Sequence, residues 1–224
     1  MRPVAGEGFL VAVADGVGGG PAGQEASRMA LETLDDAVGI EIKDIARLAS
    51  AVSLANRRIY ESGQRDDALN GMGTTLTSAV VFPGRLMVAH VGDSRAYQLL
   101  DDHLVRLTID HSLAAEMERA GGLTPEEAQH HPNRNVLTRV IGPFDRVRID
   151  VTEISWGSGD RLLLCTDGLT AVLSDDDILD CSRRLSGYAL IDALIELALN
   201  RGGPDNITVV LAEPDESEGD SHGR

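Results

Sequence analysis

The 224-residue sequence predicts an α+β domain built as a four-layer α-β-β-α sandwich, two antiparallel sheets each covered on its outer face by a helical pair. Three observations lead there. Strands come in runs whose connections are too short for crossover helices, so neighbouring strands must pair antiparallel. Long amphipathic segments come in pairs, one near each end of the chain. An antiparallel sheet leaves one face open unless something covers it, so packing the sheets face to face with a helical pair outside each uses every apolar face.

The elements follow in order. Gly8–Ala14 is a short apolar run ending at Asp15-Gly16, which reads as a buried strand entering a turn. Residues 23–38 repeat Ala26, Ala30, Leu34 and Val38 at helical spacing. A second helix fits residues 44–62, with Asp44 as its cap and Ile45, Leu48, Ala49, Val52 and Ile59 on one face. Strands are expected at Thr74–Phe82, Leu86–Val91, Arg95–Leu100 and Leu104–Leu107, arranged as a meander with a turn at Asp101–His103. Residues 111–135 turn polar and rich in His and Glu, with a break at Gly121-Gly122 and Pro125, and read as a small helical excursion. Strands resume at Val147–Ile154 and Arg161–Thr166. Two helices fit 175–183 and 187–200, the second with Leu190, Ala193, Leu194, Leu197 and Ala198 on one face. Ile207–Leu211 closes the fold. The expected organisation is one domain over 1–211, followed by an acidic disordered tail over 212–224.

Composition narrows the function classes. Apolar residues make up 42% of the chain and the formal net charge is −16, a globular composition with a surface that repels nucleic-acid backbones. Cys165 and Cys181 suggest no disulfide framework, so a reducing compartment is expected. No apolar run approaches the roughly 18 residues of a membrane span, and the start lacks a signal-peptide pattern. The expectation is a cytoplasmic protein with neither nucleic-acid nor membrane partners.

Chemistry concentrates in four aspartates where apolar segments end: Asp15-Gly16, Gly92-Asp93-Ser94, Asp167-Gly168 and Asp205-Asn206. One Asp-Gly turn is ordinary. Four such carboxylates brought together would repel one another, and a hard divalent cation such as Mg²⁺ or Mn²⁺ is the usual remedy. An EF-hand-like Ca²⁺ loop fits poorly, because its aspartates would alternate within one loop.

Six motifs stand in order: Ala14-Asp-Gly-Val-Gly-Gly-Gly20, Gly71-Met-Gly-Thr-Thr75, Val91-Gly-Asp-Ser-Arg95, Leu107-Thr-Ile-Asp-His-Ser112, Cys165-Thr-Asp-Gly-Leu169 and Gly203-Pro-Asp-Asn-Ile-Thr208. Together they resemble the PPM family of metal-dependent protein Ser/Thr phosphatases, bacterial type. The resemblance implies hydrolysis of phosphoserine and phosphothreonine on proteins by a metal-activated water. It implies Asp15 bridging two Mn²⁺ or Mg²⁺ ions, the Gly16 carbonyl and Asp167 and Asp205 completing the first, and Asp93 with Asp167 holding a third. Asp15, Asp167 and Asp205 would thus act catalytically through bound metals and water, with Asn206 and Thr208 as supports. Residues 111–135 correspond to a mobile flap. Partners would be phosphorylated proteins, substrates of a Ser/Thr kinase among them. His111, His130 and His131 read as packing or solvent-facing residues, and Cys165 as too buried to be a nucleophile.

Two departures stand out. Relatives usually carry an earlier strand with a phosphate-binding Arg and an acidic metal ligand. Arg2 and Glu7 do not fit those roles, so the first sheet is expected to lack a strand and to expose an edge. The position four after Asp167, often acidic in the family, is Ala171. These departures support an alternative, a catalytically weak domain that binds phosphoproteins or regulates a partner.

Overall fold

The structure is a computed structural model and describes residues 1–4, 8–18, 20–38 and 42–214. Glu7, Gly19 and most of the acidic tail, residues 215–224, lie outside the described residues.

The first sheet has the order β1-β2-β3-β4-β7, from β1 (Arg2–Val4), β2 (Gly8–Val13), β3 (Leu76–Phe82), β4 (Gly84–Val91) and β7 (Asp150–Trp156). The second has the order β6-β5-β8-β9, from β5 (Arg95–Leu99), β6 (Leu104–Arg106), β8 (Arg161–Cys165) and β9 (Val209–Ala212). Every pairing is antiparallel. Helices α1 (Pro21–Val38) and α2 (Ile45–Arg65) cover the first sheet, while α5 (Asp167–Thr170), α6 (Asp175–Ser182) and α7 (Gly187–Asn200) cover the second. Short α3 (Leu113–Arg119) and α4 (Pro125–Gln129) form the expected excursion.

Three apolar cores match the three interfaces of four layers. Leu34, Leu48, Ile59 and Leu76 lie in the core between the first helical pair and its sheet. Val11, Val88, Ala96 and Leu164 lie in the core between the sheets. Tyr97, Leu163, Ile178 and Leu194 lie in the core between the second sheet and its helices. Burying one Leu or Ile side chain favours folding by roughly 2 kcal/mol, so these layers carry most of the driving force.

Asp44 caps α2 as its sequence position suggests, its carboxylate accepting from the Arg47 N–H at 2.9 Å. The apolar stripe of α2 hides a polar exception. Asn56, buried one turn beyond Val52, donates to the carbonyls of Phe144 and Asp145 and accepts from the Gly142 N–H at 2.8 Å. It ties the helix to the loop that follows the excursion.

Three expectations need correction. The strands from 74 to 107 are not one meander. β4 ends in the first sheet and β5 begins in the second, so the chain changes sheets at Gly92–Ser94. Sequence periodicity cannot reveal this, because both sheets demand the same alternation. The outer edge of β2 is not bare: Arg2, Pro3 and Val4 pair with Leu10, Phe9 and Gly8. Arg2 itself pairs with Asp35 on α1. Lastly, β9 runs to Ala212, which pairs with Leu162 and is buried, so the last strand passes the expected domain boundary by one residue.

Candidate metal centre

The four aspartate corners share one end of the sandwich. The register sets Val13 beside Thr77, Leu76 beside Val91, Arg95 beside Cys165 and Cys165 beside Val209. Asp15, Asp93, Asp167 and Asp205 stand just beyond those strand ends.

Hydroxyls fix the first two corners to each other. The Asp15 N–H donates to Thr75 Oγ1 at 2.9 Å, and the Asp15 carbonyl accepts from the Thr75 N–H at 2.8 Å and Thr74 Oγ1 at 2.7 Å. Thr75 Oγ1 in turn meets Ser94 Oγ at 2.8 Å, and Thr77 Oγ1 donates to the Ser94 carbonyl at 3.0 Å. The Gly73-Thr74-Thr75 stretch is therefore the clamp between the Asp15 corner and the Asp93 corner.

The other two corners meet through Gly168. A Cβ there would lie 2.2 Å from the Asn206 carbonyl oxygen, so only glycine lets the Asp167 and Asp205 backbones approach this closely. Thr166 completes the junction: its Oγ1 donates to the Asn206 carbonyl and accepts from the Thr208 N–H at 3.0 Å. Asn206 and Thr208 contribute here through their main chain. Gly16 plays the same part at the start of α1, where a Cβ would sit 2.2 Å from the Gly23 carbonyl oxygen. Asp167 begins the one-turn α5, which was not foreseen. Ala171 closes that turn with an exposed methyl side chain.

The electrostatics fit a cation. Burial, then the charges of Asp167 and Asp205, push the Asp15 carboxyl up to about 7. Burial, then Asp167 and Asp110, push Asp93 up to about 7. Asp167 is also raised, by burial and by Asp205. Asp15 and Asp167 come within hydrogen-bonding reach of each other, and every charged neighbour that acts strongly on Asp15 or Asp93 is another carboxylate. Such a set is complementary to a hard dication. Among the described residues, no three His, Cys, Asp or Glu side chains are drawn closely enough to hold an ion by themselves. An ion here would take the rest of its shell from main-chain carbonyls and water, as Mg²⁺ commonly does.

The other candidates fall outside this cluster. His130 is exposed and His131 half-buried on the excursion. Burial pushes the Cys165 thiol up to about 12, which removes it as a nucleophile. His111 is buried, and it stacks obliquely on His90, a residue that sequence reasoning passed over although an imidazole inside the apolar run of β4 signals a buried partner. A cleft of about 400 Å³ opens beside this pair, between β7 and residues 107–109, and contains none of the corner aspartates.

Comparison with known proteins agrees with this geometry. The family model for protein phosphatase 2C matches residues 3–203. The serine/threonine phosphatase stp of Listeria welshimeri is 40% identical over 213 residues, covering 91% of this chain and 84% of that protein. The crystal structure of the serine/threonine phosphatase PstP/Ppp of Mycobacterium tuberculosis superposes with a TM-score of 0.87 at 38% identity, covering 92% of this chain and 88% of that one. A structure of the catalytic domain of PstP in complex with two manganese ions gives a TM-score of 0.83 at 36% identity, covering 96% of each chain. From the aspartate corners to the whole-chain match, these findings place the chain in the protein phosphatase 2C family.

Proposed function

We propose that this chain hydrolyses phosphoserine and phosphothreonine on proteins, with Mn²⁺ or Mg²⁺ held by Asp15, the Gly16 carbonyl, Asp93, Asp167 and Asp205. One observation carries the reading: carboxylates from four distant chain positions converge at one end of the sandwich, where burial and neighbouring carboxylates raise the proton affinity of Asp15, Asp93 and Asp167. The named phosphatases among its relatives support it, and do not favour a catalytically weak binding module.

Divalent ions at such a site supply acidified water near neutral pH and positive charge for phosphoryl oxygens. The chain's own residues do the rest. Asp15 and Asp167 present carboxylate oxygens to the same volume. The threonine clamp holds the Asp15 backbone rigid, and the Gly168–Asn206 contact holds Asp205 beside Asp167. No side chain forms a covalent intermediate.

Residues 1–212 form the catalytic domain in this reading, with 111–135 as a flap beside the site and an acidic tail after the last strand. The flap reading is supported by two short helices on the excursion, α3 largely half-buried and α4 exposed apart from Ala128. Phosphoproteins made by a Ser/Thr kinase are the partners. The cytoplasm is the proposed location, supported by the absence, among the described residues, of a helix long and apolar enough to cross a membrane.

The test is hydrolysis of p-nitrophenyl phosphate and of a phosphothreonine peptide, with Mn²⁺ and with excess chelator, for the native chain and for Asp205→Ala. Mn²⁺-dependent turnover that collapses in the variant is expected. Turnover that persists in excess chelator rules the reading out.

A further inference from the structure

We propose that His111 is a positioning residue whose imidazole holds the main chain of the Asp93 corner and fastens it to the root of the 111–135 segment. Its side chain is fully buried. The Gly92 N–H donates to His111 Nδ1 at 3.0 Å, and the His111 N–H returns a bond to the Gly92 carbonyl at 2.8 Å. On the far side of the ring, His111 Nε2 lies 3.1 Å from Asp150 Oδ2. Arg139 fixes that carboxylate in turn, donating from Nη1 to Oδ1 at 2.7 Å.

These contacts settle the tautomer. A main-chain N–H can only donate, so Nδ1 must accept from Gly92, which leaves the proton on Nε2 for Asp150. The chain Arg139–Asp150–His111–Gly92 therefore ends on the N–H of Gly92, the residue immediately before Asp93.

Gly92 has little freedom to respond in any other way. Its φ of +118° lies in the region that favours glycine, and a Cβ would meet Thr75 at 2.5 Å. Thr75 packs against one side of this turn and His111 holds the other. Here the chain crosses between the sheets, so no ladder hydrogen bonds stabilise it.

The same histidine gathers both ends of the neighbouring segment. Ser112 caps α3 and bridges to Leu137, and the His111 carbonyl accepts from the Thr138 N–H at 2.8 Å. A displacement of the segment's root and a displacement of the Asp93 corner thus share one side chain.

The functional consequence rests on the reading of Asp93 as a metal ligand, so the test separates the two. Asn at 111 can place its amide oxygen where Nδ1 sits, whereas Gln reaches toward Asp150 and leaves Gly92 without an acceptor. Amide exchange at Gly92 and Mn²⁺ binding followed by the spectroscopic signal of the free ion are measured for His111→Asn, His111→Gln and Asp93→Ala. Gly92 exchange is expected to rise on the order of 10-fold or more in His111→Gln with Mn²⁺ binding weakened on a similar scale, as for other residues that orient ligands, and to stay within about 3-fold in His111→Asn. Equal behaviour of the two His111 variants at Gly92 overturns the inference. If Asp93→Ala leaves Mn²⁺ binding unchanged, the ligand assignment fails, while the Gly92 exchange still decides the role of His111. Should the variants not fold, imidazole ¹⁵N shifts of the native chain serve: an unprotonated Nδ1 supports the assignment, and a protonated Nδ1 overturns it.

Discussion

Asp110 and Asp15 are both carboxylates set among other charges, and their environments have opposite effects. Burial pushes Asp110 up, but Arg95 and Arg106 outweigh it and hold the carboxyl below its ordinary value. Arg95 grips it with a fork, Nε to Oδ1 at 3.1 Å and Nη2 to Oδ2 at 2.8 Å, and Arg106 adds a further bond. Arg95 also donates to Tyr97, whose hydroxyl reaches Asp175 at the start of α6. This carboxylate is neutralised by the chain itself and serves to fasten the second sheet to its helix. Among the described residues Asp15 has no such cationic partner, and its strongest charged neighbours are anions. A carboxylate whose countercharge is built in is structural, whereas one whose countercharge must come from outside marks a binding site.

The same substitution at the two positions gives the sharpest test. Asp15→Asn should abolish Mn²⁺-dependent turnover, on the order of 1,000-fold or more, because it removes a ligand from the reacting centre. In chelator it should also make the fold more stable above pH 7, since it relieves repulsion. An Asp15→Asn protein that is both inactive and less stable would put Asp15 in the structural class.

Gly168→Ala is expected to follow, with about a 100-fold loss of turnover, because the new methyl collides with the Asn206 carbonyl and separates Asp167 from Asp205. Circular dichroism should show the fold retained. Turnover within a few-fold of native would mean that this close approach does not set the site's geometry.

Asp110→Asn should cost about 3 kcal/mol in denaturant unfolding, the usual penalty for stranding a buried guanidinium. The pH dependence separates the two carboxylates further. Asp110 has a depressed folded pKa, so its contribution is complete above the ordinary value of 3.8 and disappears as pH falls through the folded value. Asp15 has a raised folded pKa, so in chelator its contribution is complete below 3.8 and is lost as pH rises toward 7. Stability differences between native and variant chains, measured from pH 4 to 8, should therefore stay flat for Asp110→Asn and grow in the variant's favour for Asp15→Asn.

The smallest effect belongs to Cys165→Ala. Turnover should remain within about 3-fold, with roughly 1 kcal/mol of stability lost to the vacated volume. A complete loss of activity in a folded Cys165→Ala protein would point to a thiol nucleophile after all.

Much of this was legible without coordinates. Alternation and 3.6-residue periodicity are local consequences of burying one face, so β2, β3, α2 and α7 could be placed from residue spacing alone. Asp15, Asp93, Asp167 and Asp205 announced themselves because a carboxylate at the end of an apolar run requires a reason. Asn56 and His90 left weaker signals, polar residues inside apolar patterns whose partners lie 86 residues or 19 residues away.

By itself the sequence determined the layers, the candidate ligands and the metal chemistry they suit, since each depends on residue type and short-range spacing. Tertiary structure alone decided that β4 and β5 belong to different sheets, that Arg2–Val4 covers an edge, and that Asp110 rather than Asp93 finds its arginines. The physical reason is that charge compensation and sheet membership depend on distances between residues far apart in the chain. Those distances are set only when the three cores close together.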